Sequence, residues 1–308
     1  MKFRLGSRGS ALALAQVKLL QAAFHQRFPE DELELVVVKT TGDMKQETPE
    51  ASVSDKREWI HELEEGVVSG ELDLALHSGK DVPCDIHPLT CLQPVLERAS
   101  PTDLFIGRKL ENGSRLSFEA LPRGGVVGTA SLRRRAQLHR LRKDLKVIEL
   151  RGNVPTRLRK LDEGQADGLI LAAAGVERLG VLDGESVERF VPAQMLPAVN
   201  QGMLCVQLLA TNISLLDMLK KLVSEEASAC FFAERRVAEI LEGDCHSAVA
   251  IHAQCDSERL RLQAEVYSQS GDECLSVARE SDTTDARPLG ERVAEELLAA
   301  GAKRLLRN

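Results

Sequence analysis

Three kinds of group in this 308-residue chain are equipped for chemistry: an acid beside a lysine, a set of arginines at helix starts, and a cysteine in a turn. His77-Ser78-Gly79-Lys80-Asp81-Val82-Pro83 follows the apolar run Leu72–Leu76, and strands of α/β sheets end at crevices where ligands bind. A carboxylate beside a lysine there can orient an N–H donor or stabilise developing positive charge. A solvated surface turn would carry the same polar residues. Gly128-Thr129-Ala130-Ser131-Leu132-Arg133-Arg134-Arg135 and Arg151-Gly152-Asn153-Val154-Pro155-Thr156-Arg157 are two strand-to-helix junctions. Ser131 suits an N-cap and Pro155 a first helical turn. Cations at a helix N-terminus oppose the dipole, so their placement makes sense when an acidic ligand sits there, and arginine's planar fork matches carboxylates. Gly6-Ser7-Arg8-Gly9-Ser10 is a weaker version, with Ser10 as N-cap and Arg8 as counter-charge; a capped turn with an exposed arginine reads the same. Cys245, in Glu242-Gly243-Asp244-Cys245-His246, follows a helix Glu225–Leu241. Its thiolate is a good nucleophile, although a lone cysteine is more often an inert thiol.

Charge narrows the partner. The chain has 40 basic and 47 acidic residues, a formal charge of −7, which speaks against a nucleic-acid binder attracted over its whole surface. Residues 133–160 hold eleven Lys and Arg against only Asp144 and Glu149, a net of +9, so something anionic is expected to meet that window. It has no aromatic side chain for base stacking, which weakens the nucleic-acid reading further. Seven scattered cysteines without a Cys-x-x-Cys indicate neither a disulfide framework nor a zinc or other metal site. No stretch approaches the roughly 20 apolar residues of a membrane span. The expected address is the cytoplasm.

The elements that must position these groups alternate. At roughly 150 residues per domain, two or three units are expected. A strand Phe3–Ser7, a helix from about Ala11 to Phe28 ended by Pro29, a strand Leu33–Lys39, a helix near Arg57–Ser69 and the run Leu72–Leu76 predict a mostly parallel sheet covered by helices. A second series follows Ser100-Pro101-Thr102: Leu104–Gly107, Val126–Thr129, a helix from Leu132, Leu145–Leu150, a helix from Pro155, and Gly168–Ala172. Pro197-Ala-Val-Asn-Gln-Gly leads to a further strand, Leu204–Leu209. From about Ile213 a long helix, runs at Ala248–Gln254, Leu260–Ser268 and Cys274–Arg279, and a terminal helix from about Pro288 predict a small α+β unit. Aromatics make up only 3%, so aliphatic packing must build the cores.

The order of the segments resembles the hydroxymethylbilane synthase (porphobilinogen deaminase) family over essentially the whole chain. The resemblance is carried by Ser7-Arg8-Gly9-Ser10-Ala-Leu-Ala-Leu-Ala-Gln, Thr41-Gly42-Asp43, the His77–Pro83 segment, Gly128-Thr-Ala-Ser-Leu-Arg-Arg, Arg151-Gly-Asn-Val-Pro-Thr-Arg-Leu, Pro197-Ala-Val-Asn-Gln-Gly and Leu241-Glu-Gly-Asp-Cys. It implies an enzyme that joins four porphobilinogen molecules head to tail, releasing ammonia at each addition and then hydroxymethylbilane by hydrolysis. It implies a dipyrromethane cofactor in thioether linkage to Cys245. The fold implied is α/β: two periplasmic-binding-protein-like (type II) domains, residues 1–100 with 196–214 and residues 103–193, and a smaller α+β domain, residues 215–308, carrying the cofactor. By carry-over Asp81 matches the catalytic aspartate, with Arg8 and Arg157 as carboxylate and reaction-site partners. Asp43, Lys80, Ser131, Arg133 and Arg134 match the cofactor pocket. Arg151 and Arg178 match further anion-binding arginines, Ser10 and Ser78 are further contributors, and Trp59 is expected to cover a pyrrole ring, a buried helix anchor being the alternative on residue type. A monomer is expected. Two acid arms on every porphobilinogen would explain the +9 window.

The chain departs from that pattern. Lys56-Arg57-Glu58-Trp59 replaces Lys-Gly-Leu-Phe, Gly79 a larger apolar residue, Ala130 a serine and Asn200 a glycine; Asp244-Cys245-His246-Ser247-Ala248 stands where Gly-Cys and a following proline are common. A non-catalytic binding protein for an anionic solute and a family member of reduced activity are the alternative readings.

Overall fold

The computed structural model describes residues 1–46, 56–185, 187–241 and 247–306. Its strands, in chain order, are β1 (Lys2–Ser7), β2 (Glu32–Val37), β3 (Leu74–Ser78) and β4 (Thr90–Val95), then β5 (Asp103–Gly107), β6 (Val126–Gly128), β7 (Lys146–Ile148), β8 (Gly168–Ala172) and β9 (Glu188–Phe190), then β10 (Leu204–Leu209), and last β11 (Val249–Asp256), β12 (Arg259–Tyr267) and β13 (Cys274–Asp282). They form two five-stranded sheets, ordered β2-β1-β3-β10-β4 and β7-β6-β8-β5-β9, and a three-stranded meander β11-β12-β13. In the first sheet β1 runs parallel to β2 and β3, while β10 is antiparallel to β3 and β4. The second repeats the plan, with β6 parallel to β7 and β8 and β5 antiparallel to β8 and β9. The architecture is the two-unit α/β class with a smaller C-terminal α+β unit.

Local sequence explains the elements that matter. Ser10 caps the helix Ala11–Arg27, its Oγ accepting from the Ala13 amide, and Val17, Leu20 and Phe24 line one buried stripe. Burying each is worth roughly 1.5–3 kcal/mol. The helix stops one residue earlier than the pattern predicts, because Pro29 disfavours helical geometry at Phe28. The expected helix 57–69 is a 3₁₀ turn Lys56–Trp59 followed by the helix His61–Ser69. The long helix after Ile213 is two, Ile213–Lys220 and Glu225–Leu241. The second of these and Ala286–Ala299 pack on the meander around Phe231, Val237, Leu262, Val293 and Leu297.

Two crossovers join the α/β units, residues 96–102 and 191–203, and they touch. Ala99 donates to the Gly202 carbonyl at 3.2 Å. Gly202 has φ of 88°, and a Cβ there would lie 2.4 Å from the Ala99 carbonyl oxygen, so both backbone shape and space demand glycine. The third unit is pinned to both crossovers by one carboxylate. Glu234, fully buried, accepts from Arg98 Nη1 at 2.6 Å, the Asn200 amide at 2.5 Å and the Ala253 amide at 2.7 Å. Burial works against its charge, but Arg98 and His252 outweigh it and hold Glu234 below the ordinary carboxylate range.

Candidate active site

Lys80 and Asp81 lie in the 3₁₀ turn Gly79–Asp81 that ends β3. Ser131, Arg133 and Arg134 begin the helix Leu132–Leu141 after β6, with Ser131 Oγ accepting from the Arg134 amide at 3.4 Å. These five line one cavity of about 250 Å³. Gln201 of the second crossover shares it, as do Ala238, Ser247 and Val249 of the third unit. The cavity therefore lies where all three units meet.

Its electrostatics depend on a residue the sequence did not single out. Asp103, fully buried at the start of β5, accepts from Arg133 Nη2 at 2.8 Å, Arg134 Nε at 3.1 Å and Nη2 at 2.7 Å, and Gln201 Nε2 at 3.0 Å. Burial alone would raise its pKa; the two guanidiniums override that and hold it well below the ordinary carboxylate range. Arg133 also donates to the Leu196 carbonyl and Arg134 to that of Ile170. One carboxylate thus neutralises half of the charge on two arginines and fixes both. An acid opening an apolar strand, Asp103-Leu-Phe-Ile-Gly, was the available signal.

Desolvation pushes Lys80 down to about 8; Asp81 pulls the other way and Arg134 adds to the push. Arg157 stands in the first turns of the helix Val154–Asp162, which Asn153 caps. It feels both Arg134 and Asp81, and desolvation followed by repulsion from Arg134 brings it down to about 10. Among the described residues it has no ion-pair partner, and its Nε is buried without an acceptor, as is that of Arg133. The unmatched guanidinium donors of Arg133 and Arg157, with Lys80, fit a ligand bearing several carboxylates. His77, one strand residue before Ser78, is buried and driven down to about 4, by desolvation first; it is neutral at physiological pH.

The other expected residues among those described do not line this cavity. Arg8 pairs with Asp43, Nη2 to Oδ1 at 2.5 Å, and its guanidinium lies 4.1 Å over the Trp59 ring. Burial opposes the charge on Asp43, but Arg8 and Thr40 more than offset it and lower its pKa. A Cβ on Gly42 would come within 2.4 Å of the indole, so the ring is held between Gly42 and Arg8. Ser10 serves the helix cap and Ser78 Oγ accepts from Gln16 Nε2 at 2.9 Å. Arg151 is exposed and bonded to Glu149. Arg178 donates to the Gly202 carbonyl at 2.8 Å and lines a separate groove beside the helix Ala11–Arg27. Cys245 lies outside the described residues, while Ala238 and Ser247 on either side of it line the central cavity. No helix among the described residues is long and apolar enough to cross a membrane, and among them no cluster of three metal-ligating side chains occurs.

Fold and site define a two-lobed α/β protein whose lobes and third unit close a cationic pocket around an acidic residue. The family model described as "Porphobilinogen deaminase, dipyromethane cofactor binding domain" matches residues 3–217, and "Porphobilinogen deaminase, C-terminal domain" matches residues 228–299. Porphobilinogen deaminases of Methylobacillus flagellatus and Stenotrophomonas maltophilia are 39% identical over 302 residues (98% of this chain, 96% of theirs) and 40% over 303 (98% of each). A substrate-binding domain of a putative amino acid ABC transporter from Streptococcus pneumoniae overlays with a TM-score of 0.45 at 14% identity, covering 72% of this chain and 91% of that one. The chain belongs to the porphobilinogen deaminase (hydroxymethylbilane synthase) family. It is a transferase of tetrapyrrole biosynthesis, and its cofactor is dipyrromethane.

Proposed function

We propose that Asp81 serves the reacting ring. Its carboxylate accepts a pyrrole N–H of porphobilinogen and stabilises the positive character that develops as ammonia leaves the aminomethyl carbon. Lys80, Ser131, Arg133 and Arg134 hold the acid arms of the dipyrromethane, and Arg157 receives those of the incoming substrate. Dipyrromethane, when bound through Cys245, supplies a tethered nucleophilic pyrrole carbon. Arg8, released from Asp43, takes a carboxylate near the reacting ring; Arg151, Arg178, Ser10 and Ser78 serve the elongating chain at the periphery, and Trp59 backs Arg8. Residues 1–100 with 196–214, 103–193 and 215–308 act as three units that share the site. A single chain supplies every group named, which supports a working monomer; cytoplasmic residence completes the reading. What carries the proposal is the juxtaposition of Lys80 and Asp81 with Arg133 and Arg134 in one cavity, bordered by the residues that flank the Cys245 turn.

The test combines mass and rate. Peptide mass spectrometry of active enzyme should find the two-ring adduct on the peptide containing Cys245, and Cys245→Ser should be inactive and unmodified. Asp81→Asn in loaded, folded enzyme should lose on the order of 10²–10³ in single-turnover rate. An adduct on another cysteine, or a near-parental Asp81→Asn, overturns the assignment concerned.

A further inference from the structure

A Cβ built on Gly79 would lie 2.9 Å from the Cβ of Asn200, 3.3 Å from the Asn200 carbonyl oxygen and 3.4 Å from that of Met203. None of these is the far end of a flexible side chain, so a methyl group here has no space unless backbone moves. Gly79 is also tied to the same turn by hydrogen bonds: its amide donates to the Met203 carbonyl at 2.9 Å, and the Met203 amide donates to that of Asn200 at 3.1 Å. Lys80 and Asp81 follow directly. Asn200 is 1% exposed with φ of 52°, the left-handed region that asparagine occupies more readily than most residues with a side chain. It is anchored on its other side to the third unit. Its backbone amide donates to Glu234 Oε2 at 2.5 Å, and its side-chain nitrogen, turned to donate, lies 3.2 Å from the Phe231 carbonyl and 3.2 Å from Glu234 Oε2.

We infer that Asn200 is a positioning residue for Asp81, acting through the bare Gly79, and that Gly79 and Asn200 form a compensating pair. The Asn200 Cβ fills the space that a side chain at position 79 would take. The two departures noted in the sequence are therefore one change: a side chain moved from the turn bearing Asp81 to the crossover facing it. In its new place it bonds to the third unit, so the turn bearing Asp81 is referenced to the element that leads into Cys245. This rests on the reading of Asp81 as the group serving the reacting ring.

The experiment is a mutant cycle on the cofactor-loaded enzyme with Gly79→Ala, Asn200→Gly and the double variant, scored by kcat, KM and Tm. Gly79→Ala should lower kcat about tenfold or more with KM within about twofold, since small misplacements of a reacting group cost that much. Asn200→Gly should lower Tm by removing the side-chain bonds to Phe231 and Glu234, while the backbone amide keeps its own bond to Glu234. The double variant should recover most of the kcat lost by Gly79→Ala, because the opposing Cβ is gone. Gly79→Ala combined with Asn200→Ala, which keeps that Cβ, should not recover. Parental kcat in Gly79→Ala, or a double variant no faster than Gly79→Ala, overturns the inference. Should Gly79→Ala fail to fold, rescue of folding by Asn200→Gly and not by Asn200→Ala supports the pair, and failure of both overturns it. Asp81→Asn is assayed in parallel. If it keeps parental kcat, the reading of Asp81 has failed and with it the positioning role; the pair alone is then judged by Tm, where non-additive changes support it and additive ones overturn it.

Discussion

Replacing Asp103 by asparagine should cost about 3–5 kcal/mol, the usual penalty for stripping one partner from a buried ion pair. The structure argues for the upper part of that range. Four hydrogen bonds converge on this carboxylate, three from Arg133 and Arg134 and one from Gln201, and no part of it reaches solvent. An amide keeps the shape but offers one acceptor oxygen, and its NH₂ would face a guanidinium N–H. Arg133 and Arg134 would remain buried with no counter-charge. Against a total stability of ~5–15 kcal/mol the loss is severe. With a urea m-value near the upper end of ~1–3 kcal/mol per M, the midpoint should fall by about 1–2 M. Acid should erase the difference between variant and parent. The folded pKa of Asp103 lies below its ordinary 3.8, so its contribution is complete above that value and is lost as pH falls through the lower, folded one. Equilibrium urea unfolding at neutral and strongly acidic pH measures both effects. A variant within about 1 kcal/mol of the parent at neutral pH, or a deficit that persists undiminished in acid, would refute the clamp.

Two shorter predictions concern the neighbouring groups. Lys80, depressed to about 8 from 10.5, should give cofactor-free enzyme a capture rate for porphobilinogen that declines as pH rises through about 8, a limb that Lys80→Arg removes; the same depression means stability contributed by this group increases between about 8 and 10.5, where the unfolded chain holds the proton more tightly. A flat alkaline profile in the parent would show that the Lys80 charge plays no part in capture. Trp59 is the chain's one tryptophan and lies under the Arg8 guanidinium, a contact worth about 0.5–2 kcal/mol; Arg8→Leu should therefore shift its emission, and an unchanged spectrum would mean the stack is absent in solution.

How far the sequence could be read follows from where each signal lies in the chain. The helix Ala11–Arg27 was legible because its cap, stripe and stop are all local: Ser10, then Val17, Leu20 and Phe24, then Pro29. Both cationic junctions were legible for the same reason. The short strands β4 and β9 were not, since Pro94 interrupts one and Glu188–Phe190 is too brief to show a period. For Trp59 the residue type left a ring cover and a buried anchor open, and it could not reveal that Gly42 and Arg8 hold the ring.

The charge at the site shows the deeper reason. Counted along the chain, Arg133 and Arg134 belong to a window of +9 and stand ready for an anion. In the fold, Asp103 reaches them from thirty residues upstream because β5 inserts antiparallel between β8 and β9, and that insertion exists because the chain crosses between units at 96–102. Gln201 arrives at the same carboxylate from the second crossover, and Arg98 Nε holds the Gln201 carbonyl at 2.9 Å while its Nη1 reaches Glu234. Side chains from both crossovers thus link the carboxylate that fixes the arginine pair to the carboxylate that fixes the third unit. No window of sequence contains this connection, because its links join segments far apart in the chain that the fold brings together. The composition could show that an acidic ligand is wanted; only the topology shows that half the charge of Arg133 and Arg134 is already committed, so that Lys80 and Arg157, which has no ion-pair partner among the described residues, are left as the cations with most to gain from a carboxylate.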